Sequence, residues 1–237
     1  MTETGPAPAP TEPVTALAAE RDLGAWAQWT FVPKKGVFLR RWEGARLYFF
    51  HRGLVVTGPE GFSAAYDWGT ASVLECVAKA DKTVTDARYT VVDRDGAAVG
   101  IGRGTDFILP GQRDRLGITS LVKGAPFTFE GDWGPHIQRR ILLAQMPGVL
   151  ARIERGESVQ FGAVRLGGAG VSVKGRSAAW GDLEEIRAVG GLLEFHGVRG
   201  RKALPRVYTA HVANLYLFLA VCGHMRSPSG PGAAAIR

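Results

Sequence analysis

Apolar and polar positions along the chain change rhythm three times. In "RLYFFHRGLVVTG" two short apolar runs flank a polar turn, which predicts a strand at 46–50, a turn at His51-Arg52-Gly53 and a strand at 54–57. Gly53 is expected to supply the positive φ that such a turn favours. The runs "FSAAYDW", "SVLECVAK" and "DARYTVVD" follow, then a turn at Arg94-Asp95-Gly96 and the run "AAVGIG". About six strands in roughly sixty residues, with a loop every 8–12 residues, predict a small barrel or sandwich. Residues 103–131 show no clear period and read as loosely structured.

The period then becomes helical. Ile137, Ile141, Leu142, Met146, Val149, Leu150 and Ile153 recur at helical spacing, with Asp132 as the expected N-cap and Pro135 in the first turn. Arg152 and Arg155 suit a helix C-terminus, and Gly156 suits its end. Pro147 would clash with the carbonyl of Leu143, so a kink or two abutting helices are expected. After Gly156 the β pattern returns in "SVQFGAVRL", a turn at "GGAG", "VSVKG", "SAAW", "EEIRAV", "LLEFHG" and a strand near "ALPRVY". The run "VANLYLFLAV" predicts a short apolar helix with Asn214 as its N-cap.

The two β blocks repeat one another. The first carries Gly53-Leu54-Val55-Val56, then Ser63-Ala64-Ala65, then Trp68-Gly69 and Val73; the second carries Gly170-Val171-Ser172-Val173, Ser177-Ala178-Ala179, Trp180-Gly181 and Ile186. Each block ends in an apolar helix, so order is kept while loop lengths vary, as in a duplicated module. Tyr66-Asp67 separates "SAA" from "WG" in the first block alone. An insertion of two keeps the tryptophan on the same strand face, where an insertion of one would flip it. Trp68 and Trp180 therefore read as matched core positions rather than ligand platforms.

Composition limits the rest. The chain has 237 residues, 46% hydrophobic and 22% charged, enough for one large or two small globular units. Residues 1–20 hold four of the thirteen prolines and read as a disordered tail, as does the segment 227–237. The longest apolar run, 215–221, is far shorter than the roughly 20 residues of a membrane helix, and the start of the sequence lacks a signal-peptide pattern. A cytoplasmic location is expected, with the inner face of the membrane as a peripheral alternative. Cys76 and Cys222 sit among apolar neighbours and read as buried, reduced thiols.

Catalytic chemistry finds no purchase in the motifs. His51, His136, His196, His211 and His224 are dispersed, with no pair at metal-ligand spacing, and neither GxSxG nor HExxH occurs. Gly100, Gly102 and Gly104 match neither the dinucleotide nor the Walker pattern and read as strand-bending glycines. Glu184 and Glu185 read as a solvated face. No cofactor, no metal and no enzymatic activity are expected.

Formal net charge is +7, and residues 1–20 contribute three glutamates and no cation, so the remainder carries +10. The stretch "KKGVFLRRWEGARLYFFHR" gathers Lys34, Lys35, Arg40, Arg41, Arg46 and Arg52 around Trp42 and Phe38. Basic loops at an open barrel end suit phosphorylated head groups, and cations beside Trp42 also suit single-stranded nucleic acid, the weaker of the two expectations. A solvated basic strand face is the bland alternative.

The run "RGESVQFGAVRLGGAGVSVKGRSAAWGDLEEIRAV", with "VANLYLFLAV" after it, resembles an uncharacterised actinobacterial family of tandem PH/GRAM-like modules. The resemblance spans about residues 36–222 and is sharpest over 153–222. Many relatives carry a hydrophobic hairpin or pair of spans in the first half, which this chain lacks; the resemblance brings no catalytic residues. It implies a mainly β (α+β) fold of two tandem PH/GRAM-like small β-barrels, each closed by a C-terminal helix, with modules at 21–156 and 157–226. The function expected is a non-catalytic binding or scaffold protein engaging a protein partner. The alternatives are anionic-lipid binding through residues 34–52 and an unrecognised enzyme.

Overall fold

The apolar runs become strands in four separate sheets, mainly antiparallel, in a computed structural model that describes residues 8–80, 83–104, 108 and 110–227. Helix α1 (Glu12–Glu20) precedes a meander of β1 (Trp26–Phe31), β2 (Leu47–Phe50), β3 (Gly53–Thr57) and β4 (Ser63–Asp67). A second antiparallel sheet holds β5 (Ser72–Ala80), β6 (Thr83–Val92) and β7 (Ala97–Arg103). After α2 (Pro110–Arg115), strand β8 (Ser120–Lys123) joins β7 in parallel, and α3 (Glu130–Glu154) follows. The second half repeats the order: a meander of β9 (Val159–Phe161), β10 (Val164–Gly167), β11 (Gly170–Val173) and β12 (Arg176–Ala179) comes first. Then come β13 (Leu183–Val189), β14 (Leu192–Gly197), β15 (Val207–Tyr208) and α4 (Leu215–Arg226). The fold is α+β and mainly β. No closed barrel is present among the described residues.

Helix α3 serves two cores. Its first half sends Trp133, Ile137 and Ile141 between the sheets of the first unit, beside Leu47, Phe49, Val91 and Ile101. Its last turns send Val149 and Ile153 into the second core, with Phe161, Leu166, Phe195 and Phe218.

The outer sheet faces differ between the halves. Strands β10 and β11 alternate, burying Val164, Leu166, Val171 and Val173 and turning the residues between them outward. Every residue of β2 is buried, and β3 is buried from Gly53 to Val56. The second face of that sheet carries Tyr48, Phe50 and Val55, and α1 covers it with Val14 and Ala18, helped by Leu23. The Pro-rich leader is thus not uniformly disordered: residues 12–20 are a packed helix. Residues 1–7 and 228–237, also assigned to tails, lie outside the described residues.

The repeat has a geometric signature. Gly53 pairs with Asp67, and Gly170 with Ala179, each partner immediately preceding the tryptophan. The amide of Trp68 donates to the carbonyl of Arg52 (2.8 Å), and that of Trp180 to Ala169 (3.3 Å), the residue before the glycine in each half. A Cβ on either glycine would overlap the carbonyl oxygen of Tyr66 or Ala178, two residues before each tryptophan. Anchored this way, the letters "SAA" are offset by two, and Ala64 and Ala178 both still face their cores. Gly53 is a strand residue without positive φ; it is needed for close approach, not for the turn.

Several boundaries differ from the predicted ones. Helix α3 begins at Glu130, after Phe129 in the left-handed region (φ 59°), which puts Asp132 in the first turn rather than at the cap. It runs through Pro147 as one element, with Pro147 and Leu143 both on its exposed side. Its end matches prediction: Gly156 (φ 85°) donates to Ile153 O and Glu157 to Arg152 O, a Schellman closure. The run "SVQFGAVRL" is two strands, since Gly162 (φ 63°) opens a hairpin within it. Strands β1 and β8 and helix α2 were not anticipated.

Candidate functional site

The predicted basic cluster is divided by the fold. Lys34 leaves β1 and ion-pairs with Glu130 at 2.8 Å; Arg103 from β7 reaches the same carboxylate oxygen at 2.5 Å. Burial raises the Glu130 carboxyl, but hydrogen bonds from Lys34, the Glu130 backbone and Arg103 outweigh it and hold the group below the usual carboxylate range. Arg46 donates to the carbonyls of Glu43 and Ala45, and Arg52 is tied to Asp22 at the end of α1. Trp42 is buried in the first core with the Arg41 guanidinium 4.9 Å from its ring centroid, so its ring is closed to ligand stacking. Lys35, Arg40 and Arg41 stay exposed on the long β1–β2 connection. The side chain of Phe38 lies outside the described residues.

The second unit has an equivalent end. The amide of Lys34 donates to Pro126 O, three residues before Phe129; the amide of Ala163 donates to His211 O, three residues before Asn214. Phe129 and Asn214 are the left-handed residues from which α3 and α4 start. The fifteen-residue β1–β2 connection corresponds here to the two-residue turn Gly162-Ala163. With no long loop over it, this end holds an open cavity of about 610 Å³. Its walls carry Arg165, Lys174, Arg206, His211 and the exposed Tyr208, and no carboxylate. The sequence reading missed this set because its members lie far apart in the chain. The only local signal was Lys174-Gly175 in a tight turn, with Lys174 at φ 48°.

A polar seam joins the units. Asn214 Oδ1 accepts from the amide of Val73 (2.7 Å), and the Asn214 amide donates to Val73 O (2.8 Å). Gln145 Nε2 donates to the carbonyls of Trp68 and Ala71, both at 2.8 Å, while its oxygen accepts from Asn214 Nδ2 (3.3 Å). Gln138 Nε2 donates to Glu75 (3.1 Å), whose carboxyl is pushed up by burial. Asn214 sits at the predicted cap position, yet its side chain bonds to β5 and not to its own helix.

Among the described residues no group of three or more His, Cys, Asp and Glu side chains is placed to hold a metal, and no helix is long and apolar enough to cross a membrane. Cys222 is buried in the second core, where desolvation pushes its thiol up; Cys76 is half-buried.

Residues 126–230 match a family of unknown function, DUF6585. The matched span holds α3 and the whole second unit, including the cavity and the seam residues Gln138, Gln145 and Asn214. The eight strands of the first unit lie outside it. No curated protein and no solved structure matches the chain.

Proposed function

We propose that the chain is a non-catalytic, cytoplasmic binding or scaffold protein made of two PH/GRAM-like modules, and that it engages a protein partner. The order of four strands, three or four strands and a helix, twice over, supports the module reading. The observation that carries the partner reading is an apolar surface where edge strand β1 meets the start of α3. Trp29 (39% exposed), Val32 (36%) and Phe129 (63%) lie there, and Thr128 donates to Val32 O, which ties the two segments together. Phe129 is held in a left-handed conformation that bulky residues avoid, with its ring toward solvent. An edge strand beside exposed aromatics suits a partner that adds a strand or a helix.

The test is the affinity of a purified partner for the full chain and for Trp29→Ala/Phe129→Ala. The reading expects at least about tenfold weaker binding by variants that still fold, as for aromatic anchors. Equal affinity would remove it.

A second reading, peripheral binding to an anionic membrane, is favoured by the exposed Lys35, Arg40 and Arg41 on one loop. It expects pelleting with anionic vesicles that weakens with salt and with charge reversal at Lys35, Arg40 and Arg41. No lipid-dependent pelleting at low salt would sink it.

A further inference from the structure

The contact that joins the two units has an unused counterpart of each of its halves. Asn214, the left-handed residue that starts α4, docks on the outer edge of β5 and engages both the amide and the carbonyl of Val73. Residues 209–211, just before it, pack along the same strand. Strand β5 is the edge of its sheet, and from Ser72 to Val77 it is buried or half-buried.

The counterpart of Asn214 in the first unit is Phe129. Each starts a terminal helix in the left-handed region, three residues after the carbonyl, Pro126 O or His211 O, that ties down the connection between the first two strands of its unit. The surrounding core positions correspond as well: Phe127 and Trp133 match Val212 and Phe218, and all four are fully buried. Yet Asn214 is 5% exposed and Phe129 63%. The counterpart of β5 is β13, the first strand and an edge of the second unit's second sheet. Among the described residues no strand lies beside its outer edge. Arg226 donates to its first two carbonyls, Leu183 O and Glu184 O; beyond them Glu185, Arg187, Ala188 and Val189 are exposed. Each molecule therefore carries one docking residue without a strand and one strand edge without a docked residue. Such an edge presents unpaired amides and carbonyls to another chain.

Charge matches too. Phe129 adjoins the β1–β2 connection through the bonds from Lys34 to Pro126 O and from Thr128 to Val32 O. That connection exposes Lys35, Arg40 and Arg41 against one carboxylate, Glu43. Strand β13 and the turn before it expose Asp182, Glu184 and Glu185 against Arg187. Opposite patches of this kind steer and orient an encounter.

We propose that the partner of the Trp29–Phe129 surface is a second copy of this chain, bound head to tail. Phe129 of one molecule docks on β13 of the next, as Asn214 docks on β5 within each. This rests on the partner reading above and names the partner. The contact is heterologous, so each added copy leaves one docking residue and one strand edge free, and copies build rings or open chains. One helix start on one strand edge makes a contact of the transient class.

Sedimentation velocity of the full chain from about 5 to about 500 μM tests it. Mass rising past that of a dimer is expected, with a Kd tighter than about 100 μM that weakens with salt. Phe129→Gly and Glu184→Lys/Glu185→Lys should each weaken it about tenfold or more. Glycine is at ease in the left-handed region and both glutamates are exposed; thermal midpoints check that the variants fold. The two variants damage opposite sides. Mixed in equal amounts they should therefore associate again, but only into dimers, β13 of the first holding Phe129 of the second. A chain monomeric to about 500 μM overturns the proposal. So do wild-type mass that stops at a dimer, association indifferent to either variant, and a mixture that restores nothing. The two readings fail separately: a monomeric chain overturns this one alone, and the surface stands while Trp29→Ala/Phe129→Ala weakens a purified partner of another kind.

Discussion

Asn214 and Val73, 141 residues apart, bind each other twice: backbone amide to carbonyl at 2.8 Å, and side-chain oxygen to backbone amide at 2.7 Å. The residue that starts the last helix is thereby fixed to the first strand of the other unit's second sheet. An Asn tolerates the left-handed φ of 52° found there and presents an acceptor at the same time. The seam is thus formed by one residue meeting two demands.

Asn214→Gly and Asn214→Ala separate those demands. Glycine keeps the backbone conformation and leaves the Val73 amide without its side-chain acceptor, an expected loss of about 1–3 kcal/mol. Alanine adds the cost of a Cβ in the left-handed region, about 1 kcal/mol more. Urea denaturation reads both; equal stability of Asn214→Gly and wild type would show that the seam bond contributes nothing.

Gly53 and Gly170 should respond alike to substitution. In each case the new methyl overlaps a backbone carbonyl on the neighbouring strand, which can retreat only by breaking the ladder. Gly53→Ala and Gly170→Ala are each expected to cost about 3 kcal/mol or more, or to prevent folding. Soluble expression and denaturation midpoints decide. If only one of the pair is damaging, the two positions are not equivalent.

The same glycines show what the sequence made legible. Period-2 alternation in "AVRL" and "VSV" located strands, and the spacing of glycine and Trp-Gly located the repeat. The cover helix α1 was missed although its signal was present: "LYFF" and "LVV" are apolar at every position, so both faces of those strands need burial. The leader's four prolines concealed its Val14-Leu17-Ala18 stripe. The division of the basic cluster was not legible, because Glu130, Asp22 and Arg103 meet those cations only in three dimensions. For the same reason the cavity around Arg165, Lys174 and Arg206, drawn from three strands and the turns beside them, left no motif.

Covering that face makes α1 a stability element. Ala18 is 1% exposed beneath Phe50 and Val55, so Ala18→Glu puts a charge where the helix meets the sheet. A loss of about 2–4 kcal/mol and a gain in binding of a hydrophobic dye are expected. Ala19→Glu, on the exposed side, should be neutral. If both substitutions are neutral, α1 contributes no packing.

Glu75 gives the seam a pH dependence. Burial raises its carboxyl above the ordinary 4.5, against a smaller opposing pull from the Gln138 hydrogen bond. Between the unfolded and folded pKa values the folded state binds more protons, so this group's contribution to stability falls as pH rises from about 4.5 to the folded value and is flat beyond it. Glu75→Gln keeps an oxygen for Gln138 and removes the charge. It should be more stable than wild type at neutral pH, with the difference shrinking toward pH 4. A constant difference across that range would assign the effect to packing.

The two tryptophans test whether equivalent positions are also equivalent in energy. Both are buried, Trp68 at 2% and Trp180 at 5% exposure, and each fills the corner between the two sheets of its unit. Alanine at either should cost about 3–5 kcal/mol through the cavity left behind. Phenylalanine should tell them apart. Trp180 Nε1 donates to Gly167 O at 3.0 Å, whereas Trp68 Nε1 is buried without an acceptor and its ring lies on Phe49 with centroids 6.1 Å apart. Trp180→Phe loses a hydrogen bond together with ring volume; Trp68→Phe loses ring volume and an unsatisfied donor. The first should therefore cost about 1 kcal/mol more than the second. Equal losses in urea titrations would mean that the Trp180 bond is replaced by water at no cost, and that volume alone sets what both corners require.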